Sequence, residues 1–156
     1  FEEEAMSGVT PGAQQHANLP AMASRFVDVA QLPWQETRYP GVESKTLVVD
    51  RESGVATMLM KFAPGAKLPH HEHVLIEQTY VLEGSLVCGE GECKAGEFVW
   101  RPAGSQHEAW GGPQGGLMLA IFQMPNKFFD ADGRETDFLG NDWKKTWGAL
   151  QGKSGR

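Results

Sequence analysis

Five histidines occur in the chain, and four of them fall in two short windows: His70, His71 and His73, then His107. His16 stands apart near the N-terminus, and a carboxylate, Glu77, follows the first window. Imidazole nitrogen and carboxylate oxygen are both ligands of borderline divalent metals, and such clustering is what a metal site requires. Side chains alternate between faces along a strand. On an unbroken strand the odd-numbered His71, His73 and Glu77 therefore share one face, while His70 and Glu72 point the other way. His107, just past the Pro102-Ala103-Gly104 corner, supplies a fourth ligand from a neighbouring strand. Four protein ligands on a six-coordinate ion leave two positions for water, oxygen or a bidentate substrate, whereas a structural zinc site is closed at four. The competing reading is a hydrogen-bonded polar cluster without metal. Buried imidazoles and a carboxylate need partners, and one ion satisfies all four.

The elements that must position these residues are short strands. Nineteen glycines and nine prolines punctuate the chain more densely than a helical bundle tolerates. Phe26-Val27-Asp28-Val29 alternates and predicts a short strand, and Lys45–Asp50 a second. Val55–Phe62 predicts a third, with Ala56, Met58, Met60 and Phe62 inward. His71–Glu83 reads as one or two strands ending at Gly84. Ser85–Cys88 and Cys93–Lys94 flank an acidic turn, Glu97–Arg101 follows, and Gln106–Trp110 ends at Gly111-Gly112-Pro113. Leu117–Met124 is the most apolar stretch and predicts a buried strand. Asp142–Leu150 is the one good helix, with Asn141 as its N-cap. Many short strands with regular turn signals predict an all-β sandwich or barrel. Met58, Met60 and Thr79 are candidates for the wall of a pocket, with ordinary core as the alternative for the two methionines.

The two windows resemble the motifs of the cupin superfamily. The first motif, G-(X)5-H-X-H-(X)3,4-E-(X)6-G, is met by Gly65, His71, His73, Glu77 and Gly84. The second, G-(X)5-P-X-G-(X)2-H-(X)3-N, is met by Gly96, Pro102, Gly104 and His107, with Gly111 in place of the final Asn. The resemblance covers about residues 45–125. It implies a double-stranded β-helix, or jelly-roll, barrel with a metal in its open end, held by His71, His73, Glu77 and His107. A narrower resemblance, carried by Phe62–His71, Glu77–Gly84 and Arg101–His107, is to the cupin-type domain of zinc-binding anti-sigma factors and to diketone-cleaving dioxygenases.

The expected function is a metal-dependent oxidoreductase of the non-haem dioxygenase type acting on a small carbonyl or aromatic compound. The alternative is a non-catalytic zinc-binding sensor or binding module. The cofactor is one divalent transition metal, whether Fe, Zn, Mn, Ni or Cu. Ordinary imidazoles would release it below about pH 6.5. A sugar-nucleotide isomerase fits less well, because Arg101 and Lys61 are the only basic candidates near the site. The net charge of −6 with no Lys/Arg cluster argues against nucleic acid, and no run is long enough to span a membrane. Cys88 and Cys93 read as reduced thiols of a cytoplasmic protein, and a homodimer paired through edge strands is expected. Residues 1–21 read as a flexible tail or non-native remnant, with Met22 as a plausible natural start. Residues 22–150 read as a single cupin domain and 151–156 as a frayed C-terminus.

Overall fold

Alternating apolar and polar residues become a curled antiparallel sheet in the computed structural model, which describes residues 8–154, with side chains to 151. The strands are β1 (Gly8–Val9), β2 (Gln35–Glu36), β3 (Val42–Asp50), β4 (Ala56–Phe62), β5 (Lys67–Glu72) and β6 (Glu77–Cys88). They continue with β7 (Gly91–Lys94), β8 (Phe98–Arg101), β9 (Gln106–Phe122), β10 (Lys127–Phe129) and β11 (Glu135–Thr136), before a single α-helix, α1 (Trp143–Ser154). The sheet runs β1-β3-β4-β9-β5-β10-β11, with β2 on β3 and with β6 pairing β7, β8 and β9.

The long strand β9 organises the barrel. Its second half lies between β4 and β6, with Ala120 opposite both Met58 and Thr79. Its first half lies between β5 and the far end of β6, with Ala109 opposite both Leu68 and Cys88. Strand β9 does not stop at Gly111-Gly112-Pro113, where the sequence signals an end. Glycines let it bend there without breaking. A Cβ at Gly111 would come 2.5 Å from the Ala63 carbonyl oxygen and 2.8 Å from the Phe62 Cβ. At those distances a side chain such as Asn does not fit here without a shift of the Ala63 backbone. Gly84, at φ 64, is equally constrained, since a Cβ would sit 2.1 Å from the Gly115 oxygen.

The inward face of β4 carries Ala56, Met60 and Phe62, all buried, with Met58 half-buried beside them. They meet Leu68, Val81, Leu86, Met118, Phe122 and Phe128 in one core. A smaller cluster joins Val74 and Met124 to Trp143 and Trp147 of α1. Both indoles are anchored, Trp143 donating to the Pro125 carbonyl at 2.9 Å and Trp147 to Asp137 at 3.0 Å.

Four local expectations change. Phe26–Val29 forms no strand; a single 3-10 turn, Val29–Gln31, occupies its end. Of the one or two strands expected over His71–Glu83 there are two, separated at residues 73–76, but the second does not end at Gly84: β6 runs on to Cys88. Helix α1 is capped by Asp142, whose carboxylate accepts from the Lys145 N–H at 2.9 Å, and not by Asn141. The N-terminal segment expected as a tail is docked at Gly8–Thr10: β1 pairs with Val49 and Asp50, and Thr10 donates to the Leu47 carbonyl at 2.6 Å. Residues 1–7 lie outside the described part. Among the described residues no helix is long and apolar enough to cross a membrane.

Candidate metal centre

His71 and His107 are direct cross-strand neighbours on β5 and β9, so their imidazoles face the same point from adjacent strands. His73 reaches that point from the turn beyond β5. Its backbone is pinned to the corner before β9, with the His73 N–H donating to the Ser105 carbonyl at 2.9 Å and the Gly104 N–H to the His73 carbonyl at 2.7 Å. Gly104 takes φ 87 at this corner. The two sequence windows are thus sewn together by main-chain hydrogen bonds, which the parity argument did not foresee.

The three rings form a nearly equilateral triangle, with centroids 4.9, 4.7 and 4.8 Å apart. The Nε2 atoms of His73 and His107 stand 2.8 Å apart. Ligand atoms from all three histidines lie within 4.8 Å of one another. His71 donates from Nδ1 to the Pro69 carbonyl at 2.8 Å, which leaves Nε2 as the free lone pair. The His107 Nδ1 is buried without a hydrogen-bond partner. The His73 Nδ1 approaches Glu77 Oε2 at 2.7 Å but off the line of a hydrogen bond. Three imidazole nitrogens that converge on one point fit a divalent ion, which accepts several lone pairs at once.

The carboxylate of Glu77 stands off from this shared point, on the far side of the His73 ring. Its Oε1 accepts from Thr79 at 2.8 Å and its Oε2 from the Asn126 amide at 3.3 Å. Burial alone would raise this carboxyl, but the His73 and Thr79 contacts outweigh it and hold it down at about 2. In this arrangement Glu77 orients His73, as carboxylates behind metal-bound imidazoles do.

Burial also sets the state of the imidazoles. It is the largest cause lowering His71 to about 4 and His107 to about 3; the neighbouring His73 adds to the first and Arg101 to the second. These two rings are therefore neutral, as ligands must be, well below the pH of about 6.5 expected from ordinary imidazole.

The site opens into a cavity of about 380 Å³ whose wall includes His71, His107, Glu77 and Arg101. Met58, Met60 and Thr79 also line it. Phe128 packs its ring 5.0 Å from that of His71, because β10 pairs with the outer edge of β5 and sets Phe128 opposite His71. Neither Phe128 nor Asn126 carried a local sequence signal for the site, since both come from a segment that returns to it only through the fold. His70 faces away and contacts Gln106 at 2.8 Å. A second grouping of ligand atoms, from Cys88, Glu90 and His107, also lies within 4.8 Å. The Arg101 guanidinium sits there, 3.8 Å from the free Cys88 thiol and 3.5 Å from Glu90. A divalent ion would have to displace that resident cation.

The profile of the ChrR cupin-like domain matches residues 22–127. Among solved structures, the putative acetylacetone dioxygenase of Methylibium petroleiphilum PM1 aligns at TM-score 0.66 and 21% identity, over 83% of this chain and 95% of that one. The acetylacetone dioxygenase of Acinetobacter johnsonii aligns at 0.67 and 16%, over 85% and 97%. The Rhodobacter sphaeroides SigE complex with the anti-sigma factor ChrR aligns at 0.52 and 20%, over 60% of this chain and 50% of that one. No curated protein sequence matches the chain.

Proposed function

The chain belongs to the ChrR cupin-like domain family, and from that premise we propose that it is a metal-dependent oxidoreductase of the dioxygenase type, acting on a small carbonyl or aromatic compound. The observation that carries this reading is the convergence of the buried His71 and His73 and the half-buried His107 beside a cavity lined by Met58, Met60, Met118, Phe122 and Phe128. His71, His73 and His107 would hold the ion, with Glu77 as orienting carboxylate or as a fourth ligand after a side-chain rotation. A divalent transition metal held there supplies Lewis acidity and, when redox-active, electrons for oxygen chemistry.

The protein's own residues do the rest. The Pro69 carbonyl fixes the His71 tautomer, and Glu77 fixes the His73 ring. The apolar wall excludes water from a chelating substrate and leaves room for a compound of a few carbons. The test is oxygen consumption by iron-loaded protein mixed anaerobically with diketones, hydroxyketones and catechols, then exposed to air. Substrate-dependent uptake, lost in His107→Ala, is expected; no uptake with any of the three classes sinks the reading.

The alternative is a zinc-binding sensor or binding module, favoured by the family itself and by the likeness to the ChrR complex. Zinc as the only co-purifying metal, with a protein partner released on oxidation, would support it. We further propose a cytoplasmic homodimer paired through the outer face of β6 and β8, where Tyr80, Phe98 and Trp100 are exposed. Sedimentation equilibrium should give twice the chain mass, and Trp100→Glu should return the monomer.

A further inference from the structure

We infer that the ligand taken at this centre carries a carboxylate, and that Arg101 is the residue that selects it. The inference rests on the metal centre proposed above.

Arg101 ends β8, where it is the cross-strand neighbour of Glu77 and is 6% exposed. A guanidinium carries five N–H donors in a planar fork and is not buried without partners. The partners of Arg101 are poor ones for so buried a cation. Both Nη atoms contact the Cys88 sulfur, each at 3.8 Å, and sulfur is a weak acceptor. The one carboxylate in range, Glu90 at 3.5 Å, is 81% exposed on a turn and holds it loosely. Glu77 is spoken for by His73, Thr79 and Asn126.

The position of the fork gives this under-satisfied cation a use. Arg101, Leu86 and His107 line both the barrel cavity and a second cavity of about 330 Å³ bounded by Cys88, Trp100 and Pro102. Arg101 borders the barrel cavity alongside His71 and His107, so a ligand in that cavity has the guanidinium and the imidazoles on one wall. A ligand chelated there meets the ion's two positive charges and the guanidinium against the Glu77 carboxylate; of the other charges on the cavity wall, Asp137 is already bonded to Trp147 and to main-chain N–H groups, and Glu36 is offset by Arg51. Such a site favours an anion, and a planar fork favours a carboxylate, which it can grip through two parallel hydrogen bonds.

The test uses one ligand in two forms: 4,6-dioxoheptanoate, a 1,3-diketone with a carboxylate at one end, and its neutral methyl ester. Each is titrated calorimetrically into zinc-loaded protein whose metal content has been measured. The acid should bind about tenfold tighter than the ester, as expected for one charge-assisted bidentate contact. In Arg101→Met the acid should lose about tenfold while the ester stays within about twofold, the ester serving as control for the integrity of the site. Arg101→Lys, which keeps the charge and loses the fork, should fall between, and it carries the test if Arg101→Met does not fold. Equal binding of acid and ester by the wild-type protein, or equal weakening of both in a folded variant, overturns the role of Arg101 and leaves the metal centre standing. Failure of both ligands to bind protein that carries stoichiometric zinc overturns the inference alone, whereas failure of the protein to take up zinc overturns the centre on which it rests.

Discussion

His73 is the residue on which the site turns, because one nitrogen faces His107 and the other faces Glu77. The two ends predict different losses. His107→Ala removes a ligand and should abolish stoichiometric metal in protein purified without added ions, read by elemental analysis. Glu77→Gln leaves three imidazoles in place and should weaken metal affinity by about 10–100-fold, the usual cost of a lost orienting partner. If Glu77→Gln abolishes binding as fully as His107→Ala, Glu77 is itself a ligand. Acid sensitivity follows from the same residues. In metal-free protein, His71 and His107 have folded pKa values below the unfolded value of 6.5. The unfolded chain therefore binds more protons, and stability falls as pH drops from about 6.5 toward about 3–4. Glu77, depressed to about 2, adds stability above its unfolded value of 4.5 that is lost as pH falls through the range between. All three act in one direction. Urea unfolding of metal-free protein should give a free energy lower at pH 4.5 than at pH 7 by on the order of a few kcal/mol. A flat profile would mean that these rings are not buried neutral.

At the scale of elements, the glycines divide by what surrounds them. Gly84→Ala must place a methyl against the Gly115 oxygen as well as strain a positive φ. Gly96→Ala strains φ 85 alone, in open space. Gly84→Ala should therefore cost several kcal/mol and Gly96→Ala about 1 kcal/mol, measured as a shift in urea midpoint. Similar losses would show that β6 and β9 can separate to admit the methyl. The inward face of β4 and the acidic hairpin between β6 and β7 were legible in the sequence, because period-two alternation and turn residues are local. So were the three histidines. Less legible was how they meet: the strand is broken at residues 73–76, and parity along one strand does not bring His73 to His107. The junction is made by the Gly104 and Ser105 backbone, which no side-chain pattern reports. Gly111-Gly112-Pro113 misled for the opposite reason, since glycines that usually end a strand here let β9 pass close to Ala63. Arg101 was visible only as one of two basic residues near the site, and its burial is a property of the barrel.

For the molecule as a whole, the C-terminal helix belongs to the site's support. Trp143 and Trp147 pack on Val74, in the turn that carries His73, and Trp147 also lines the cavity. Trp143→Ala should destabilise the protein by about 3–5 kcal/mol, as for other buried aromatic truncations. It should also speed metal release, because the turn under His73 loses its backing. Stopped-flow transfer of zinc to a chromogenic chelator measures this, and an unchanged release rate would separate the helix from the centre. Trp147 adds one more property. Its indole N–H is tethered to Asp137 while its ring borders the space where a ligand would sit. An indole fixed in that way is a built-in optical reporter: displacement of solvent beside it should shift its emission, so occupancy of the barrel can be followed in unlabelled protein by ultraviolet light alone.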